Sequence, residues 1–303
     1  LMALIGMFCV ITIPAIVELY DTSLSAKVSA IGIFVLITIP IITLNGLYQV
    51  PDTKSAKVVA KIENPLKTFK SLFGNTMLNK IVLAAGLIGF CMSLNGALYL
   101  IWMDVVMELP EYSSRLMLMY YLVSVVGLGL WRYLSIKTSK HFAAGVACFY
   151  AIIILLIGFV GFFIIRDLDT EVKLIAVGSF IILYGFSFSG PMPLINAIIA
   201  DISDKLSVDN NENISGTVFS YLTTITKVGF GLAAVIPYLV LELIWGFDIK
   251  LGVENTESSK MAIFYIYTFV PIVCYTIASY MLFSHSLGRD EHEKIKSAIE
   301  EGS

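Results

Sequence analysis

The 303-residue chain is 57% hydrophobic and 14% charged, with a net charge of −3. Its mean hydropathy of +0.85 lies outside the soluble globular range and points to a protein that sits in lipid. The small net charge, with no basic patch interleaved with aromatics, argues against a nucleic-acid partner.

A window of about 19 residues finds about eight membrane spans, at 1–19, 28–48, 80–103, 115–135, 142–165, 173–200, 213–246 and 261–284. The expected fold is an all-α integral membrane bundle, because helices satisfy their backbone within lipid. Two spans are long enough to tilt or to continue as helix beyond the hydrocarbon. The chain opens on Leu1 inside an apolar run with no basic leader, so no cleavable signal is expected and further sequence is expected upstream. Lys and Arg crowd the connections at 51–80, 132–140, 205 and 289–296, and are sparser at 27, 115, 166–173 and 250–260. The positive-inside rule then puts the first set, and both chain ends, in the cytoplasm of a cell in whose inner or plasma membrane the protein sits.

Between the spans, the basic stretch 51–80 reads as a short amphipathic helix, a break at Pro65 and a second helical piece near anionic headgroups. The tail, 285–303, is a mixed-charge solvated helix. The sequon Asn213-Ile214-Ser215 falls on the cytoplasmic side, where glycosylation is not expected. Cys9, Cys91, Cys148 and Cys274 lie in apolar stretches as buried or lipid-facing free thiols. His141, His285 and His292 have no partner at ligand spacing, so no metal and no resident cofactor is expected.

Lys227 is the most informative residue, an ammonium in the middle of an apolar span. Such a charge costs roughly 3 kcal/mol on insertion scales and should face protein or water. Gly216, Ser220, Thr223, Thr224, Lys227 and Gly231 recur at three- and four-residue steps, which gives one small, polar helix face. The competing account is a structural lysine tethered to oxygens.

Three further groups are candidates. Asp201 and Asp204, in ADISD, share a helix face at the cytoplasmic end of the sixth span. They either mark the water boundary or form a cytoplasmic gate with a cation such as Arg132. Upstream, YGFSFSGPMPLINAIIAD puts Gly185, Ser189 and Asn196 on one face around Pro191 and Pro193. This span bends beside a polar path, or is a plain kink packed through small residues. In the third span, Asn95 and Tyr99 lie one turn apart and suit a sugar wall, stacking and hydrogen bonding together. Tyr and Trp near a membrane boundary usually anchor the belt; Trp102 reads as such a residue, and for Tyr99 both readings stay open.

These segments together resemble the glycoside–pentoside–hexuronide cation symporters, the melibiose permease group of the major facilitator superfamily. The run ADISDKLSVDNNENISGTVFSYLTTITKVGFGLA, 200–233, is similar to the family's Ala-Asp-x-x-Asp, hydrophilic loop, glycine and lysine of the eleventh helix. Asp201, Asp204, Gly216 and Lys227 fall on those positions. The run LPEYSSRLMLMYYLVSVVGLGLW with Lys137 and Lys140 looks like the seven-to-eight connection and eighth helix. The resemblance implies residues 1–50 as the last two helices of a first bundle and 51–79 as the central cytoplasmic loop. It further implies 80–284 as the second six-helix bundle and 285–303 as the tail. Two departures stand out. Asn213 and Ile214 occupy the place where the family commonly has an arginine. The family's cation-binding acids lie on early helices with no counterpart here.

The resulting expectation is a secondary active transporter, not an enzyme: symport of a sugar or related polar solute with Na⁺ or H⁺ by alternating access. Its expected partners are that solute, the cation and the bilayer, and the cation site is expected in the absent first bundle. A monomer is expected. The alternatives are a carrier of lysolipids or other amphipathic solutes, and a truncated relic that does not transport. An intramembrane enzyme is disfavoured, because no nucleophile–base pair, metal motif or paired acids at depth is visible.

Overall fold

The computed structural model describes residues 2–17, 19–20, 24–49, 72–210 and 214–284. The sequon Asn213, most of the basic connection, His285, His292 and the tail lie outside them, as does the side chain of Cys9. Among the described residues all regular structure is helical. Helices α1 (Met2–Val17) and α2 (Leu24–Gln49) come first. Helix α3 (Thr76–Ile101) runs on through a π turn at Trp102–Val106. Then follow α4 (Ser113–Lys137), α5 (Lys140–Ile165), α6 (Thr170–Phe188), α7 (Pro191–Asn210), α8 (Ser215–Trp245) and α9 (Glu257–Phe283).

The helix boundaries follow from local chemistry. Asn75 Oδ1 accepts from Leu78 N at 2.9 Å and Ser139 Oγ from Phe142 N at 3.1 Å, so both cap orphan amides at helix starts. Helix α8 stops at Gly246, whose φ of 63° is the left-handed cap that glycine adopts without strain. Seven stretches of the described residues are long and apolar enough to cross a membrane. The expected first span coincides with α1, whose 16 residues are about 24 Å long, short of a 30 Å core.

Packing centres on α3, which contacts α7, α8 and α9. Helix α5 lies against α9, α7, α6 and α4; α4 pairs with α6, and α1 sits on α4 and α2. Small residues let these backbones approach. A Cβ on Gly229 of α8 would stand 2.5 Å from the Gly86 carbonyl oxygen of α3. A Cβ on Gly185 of α6 would stand 2.7 Å from the Tyr120 carbonyl of α4. In lipid, where apolar surface gains little by turning inward, such close contact is a main source of helix association. The outward faces stay apolar, as at Leu243 (78% exposed) and Ile164 (66%).

The expected bend is a real break. Helix α6 ends at Phe188 and α7 begins at Pro191, which has no N–H to continue the ladder. Gly190 N donates to Ser187 O at 3.2 Å, so the Phe186 carbonyl needs another donor. Trp131 Nε1 of α4 supplies it at 2.6 Å. Non-helical backbone at membrane depth is thus buried in protein and satisfied.

Candidate functional site

Asn95 and Tyr99 of α3 do come together, in a cavity of about 50 Å³ between α3, α4, α6 and α9. Tyr120 and Tyr121 from α4, Tyr184 and Phe188 from α6, and Tyr267 from α9 complete its aromatic wall. The rings brace one another: Tyr120 lies 5.3 Å edge-on from Phe188, and Tyr184 stacks on Phe180 at 5.8 Å. Gly185 permits this, since it brings α6 onto the Tyr120 backbone.

The polar chemistry of the cavity rests on Asn95, which is 9% exposed. Its Nδ2 donates to Tyr184 Oη at 2.5 Å. Its Oδ1 is buried and accepts no hydrogen bond. An unpaired buried acceptor costs about 1–3 kcal/mol, which a ligand hydroxyl donating to it would offset. Tyr99 is a wall residue: its Oη donates to Ser113 O at 2.7 Å and so ties α3 to the start of α4.

Helix α8 flanks this cavity. On α3, Ser93 Oγ donates to Phe230 O at 3.0 Å and the Ala97 carbonyl accepts from Tyr238 Oη at 2.6 Å. Exposed Gly96 lies on the strip of α3 between those grips and the cavity wall. The expected polar face of α8 is open: Gly216, Ser220, Thr223, Thr224, Lys227 and Gly231 are all exposed. Thr224 Oγ1 donates to Ser220 O at 2.8 Å, which leaves its lone pairs to accept. The Lys227 ammonium lies 5.4 Å from the centre of the Phe230 ring, a cation–π contact. Among the described residues no carboxylate stands within ion-pair distance of it. Lys227 does not line the Asn95 cavity.

At the end of the bundle that carries Lys140, Asp201 meets that lysine, Nζ to Oδ1 at 2.8 Å, and not Arg132. Lys140 opens α5, directly against α7 where Asp201 sits, whereas Arg132 lies exposed on α4. Asp204 is exposed. Asn196 is exposed on α7 and Gly185 is a packing contact, while Ser189 is buried with its Oγ unpaired. That trio does not form a common site. Trp102 is not a belt residue: it is 3% exposed and stacks on Tyr267, centroids 4.9 Å apart and planes 4° off parallel. The free thiols Cys91 and Cys148 are buried and Cys274 is half-buried. The tyrosines at 120, 121, 184 and 267 and Lys140 are the participants that sequence reasoning missed. A Tyr-Tyr pair on α4 and a tyrosine beside the glycine-rich break were the available signals.

An all-α bundle with seven apolar stretches of crossing length among the described residues is a multi-pass membrane protein. The chain belongs to the MFS/sugar transport protein family, whose model matches residues 1–289. That match is consistent with a member of the glycoside–pentoside–hexuronide group within the major facilitator superfamily. No curated protein matches the chain.

Proposed function

We propose that this protein is a secondary active transporter that moves a sugar, glycoside or related polar solute together with Na⁺ or H⁺. The observation that carries the proposal is the buried Asn95 amide, its Oδ1 unpaired, in an aromatic cavity of a sugar-transport family member. Aromatic faces match the C–H faces of a pyranose and the amide matches one of its hydroxyls, although about 50 Å³ takes one edge of the ring and not the whole of it. Ser220, Thr223, Thr224 and Lys227 form the second wall of the route, as exposed donors and acceptors on α8. The Lys140–Asp201 pair is a cytoplasmic closure at the far end of the bundle, which opens when the site faces inward. Arg132, Asp204 and Asn196 stand outside these contacts and carry no role in the proposal.

The resemblance supports two bundles rocking about a central site, with 80–284 as one of them and 51–79 as the connector. It also supports a monomer in the inner or plasma membrane with both ends of this chain cytoplasmic. The test, in a full-length protein that carries both bundles, is uptake of radiolabelled melibiose and a panel of mono- and disaccharides into proteoliposomes under imposed Na⁺ or H⁺ gradients. Gradient-driven uptake abolished by Asn95→Leu is the expected result. Uptake of lysophosphatidylcholine with no sugar transport would favour the amphipathic-solute alternative. Undiminished sugar uptake in Asn95→Leu would remove the cavity from the route.

A further inference from the structure

A crevice that shares Tyr267 with this cavity lies outside the proposed solute route. It has a volume of about 220 Å³ and lies between α5, α6, α9 and the π turn. Its walls are apolar, among them Gly158, Gly161, Phe162, Phe180 and Leu183. From Ile154 to Ile165 it follows α5 for about 17 Å at 1.5 Å per residue. It opens on the surface that meets lipid, where Ile157 is 57% exposed and Leu183 42%.

Two features point to a particular occupant. Trp102 lines the crevice, is held by its stack on Tyr267, and its buried Nε1 donates to nothing. Buried indole N–H groups ordinarily find an acceptor. The crevice also adjoins a polar hollow of about 300 Å³, with Phe162 in both walls and Met107 and Ile165 of the crevice followed by Glu108 and Arg166 of the hollow. That hollow mixes Arg166, Lys173 and Lys260 with Glu108, Asp167 and Glu257. Lys260 Nζ lies 3.3 Å from Glu257 and 3.7 Å from Glu108, and Arg166 Nε lies 3.4 Å from Asp167. Among the described residues Lys173 makes no ion pair. Glu108 holds φ at 58°, a left-handed conformation that is strained for a side chain with a Cβ. An apolar channel, a lone donor and an adjoining mouth of both charges match the parts of a zwitterionic phospholipid.

We propose that one bilayer phospholipid of zwitterionic headgroup occupies this site as a resident lipid and not as cargo. One acyl chain lies in the crevice, an ester carbonyl accepts from Trp102 Nε1, and the phosphate meets Lys173 while the headgroup ammonium faces Glu108 and Glu257. The inference does not depend on which solute moves.

The structure supplies a clean perturbation. A Cβ at Gly161 meets nothing within 4 Å, so Gly161→Ala is accommodated, and Gly161→Phe adds a ring at the crevice wall that Gly161 lines. The purified chain, detergent-exchanged and titrated with dioleoylphosphatidylethanolamine, is read by native mass spectrometry for retained lipid. Wild type and Gly161→Ala are expected to hold one lipid, and Gly161→Phe to lose affinity at least tenfold. Gel filtration and an unchanged thermal transition show that the variant is folded. Trp102→Phe should weaken binding about two- to tenfold, the worth of one hydrogen bond. Lys173→Ala should weaken binding of this phospholipid and leave binding of dioleoylglycerol, which has no phosphate, as it was. Equal binding in wild type and folded Gly161→Phe overturns the site. Equal loss of both lipids in Lys173→Ala overturns the headgroup placement.

Discussion

Replacing Gly229 by alanine probes the contact that sets α8, and with it Lys227, against α3. The new methyl carbon would lie 2.5 Å from the Gly86 carbonyl oxygen and 3.3 Å from Phe90 N. A close carbon–oxygen contact sits near 3.3 Å, so the helices must separate by roughly 0.8 Å. Both obstructing atoms are backbone, so no side-chain rotation relieves the clash. Overpacking of this kind costs about 1–3 kcal/mol. Alanine also gains up to about 1 kcal/mol over glycine in a helix, which would mask part of the loss. Gly231→Ala, two residues on, carries the same propensity gain into open space, since a Cβ there meets nothing within 4 Å. The difference between the two variants therefore isolates the clash. Sodium dodecyl sulfate titration in mixed micelles, followed by far-ultraviolet circular dichroism, measures it. Gly229→Ala should unfold about 1–3 kcal/mol more easily than Gly231→Ala. Equal stability of the two would refute the reasoning.

Three other outcomes follow from single contacts. Trp131→Phe removes the donor to the Phe186 carbonyl at the α6–α7 break and should cost about 1–3 kcal/mol in the same titration. Tyr184→Phe leaves Asn95 Nδ2 without its partner; sugar uptake should show a raised KM, and stability should fall by about 1–3 kcal/mol. In a double-mutant cycle, Lys140→Ala and Asp201→Asn should couple by about 0.2–1 kcal/mol, because Lys140 is 36% exposed and solvent screens the pair. The same cycle with Arg132→Ala should show no coupling. Coupling to Arg132 in place of Lys140 would reverse the assignment.

Much of the architecture was legible because it is written in periodicity and run length. Apolar runs of crossing length set the helices from α2 onward, and Pro191 marked the break after Phe188. Asn95 and Tyr99 were readable as a pair, because a four-residue step in one helix fixes a shared face. Relations between helices were not readable. Arg132 and Lys140 both lie near Asp201 in sequence-level depth, and only the α5–α7 contact selects Lys140. Trp102 looked like a boundary residue by position, yet the π turn that begins there belongs to a segment buried against α9. Asn196 lost its expected neighbours for a similar reason. The break between α6 and α7 ends the phase that would have aligned it with Gly185 and Ser189.

The central claim is that the Lys227 face of α8 borders a hydrated solute route. Its most direct test is Lys227→Cys in a protein whose Cys9, Cys91, Cys148 and Cys274 are replaced by alanine. The thiol is exposed to the charged, membrane-impermeant reagent methanethiosulfonate ethylsulfonate in proteoliposomes. Rapid modification, slowed by the transported sugar, is the predicted result. A thiol untouched by that reagent but alkylated by lipid-soluble maleimide would place residue 227 against acyl chains and contradict the account.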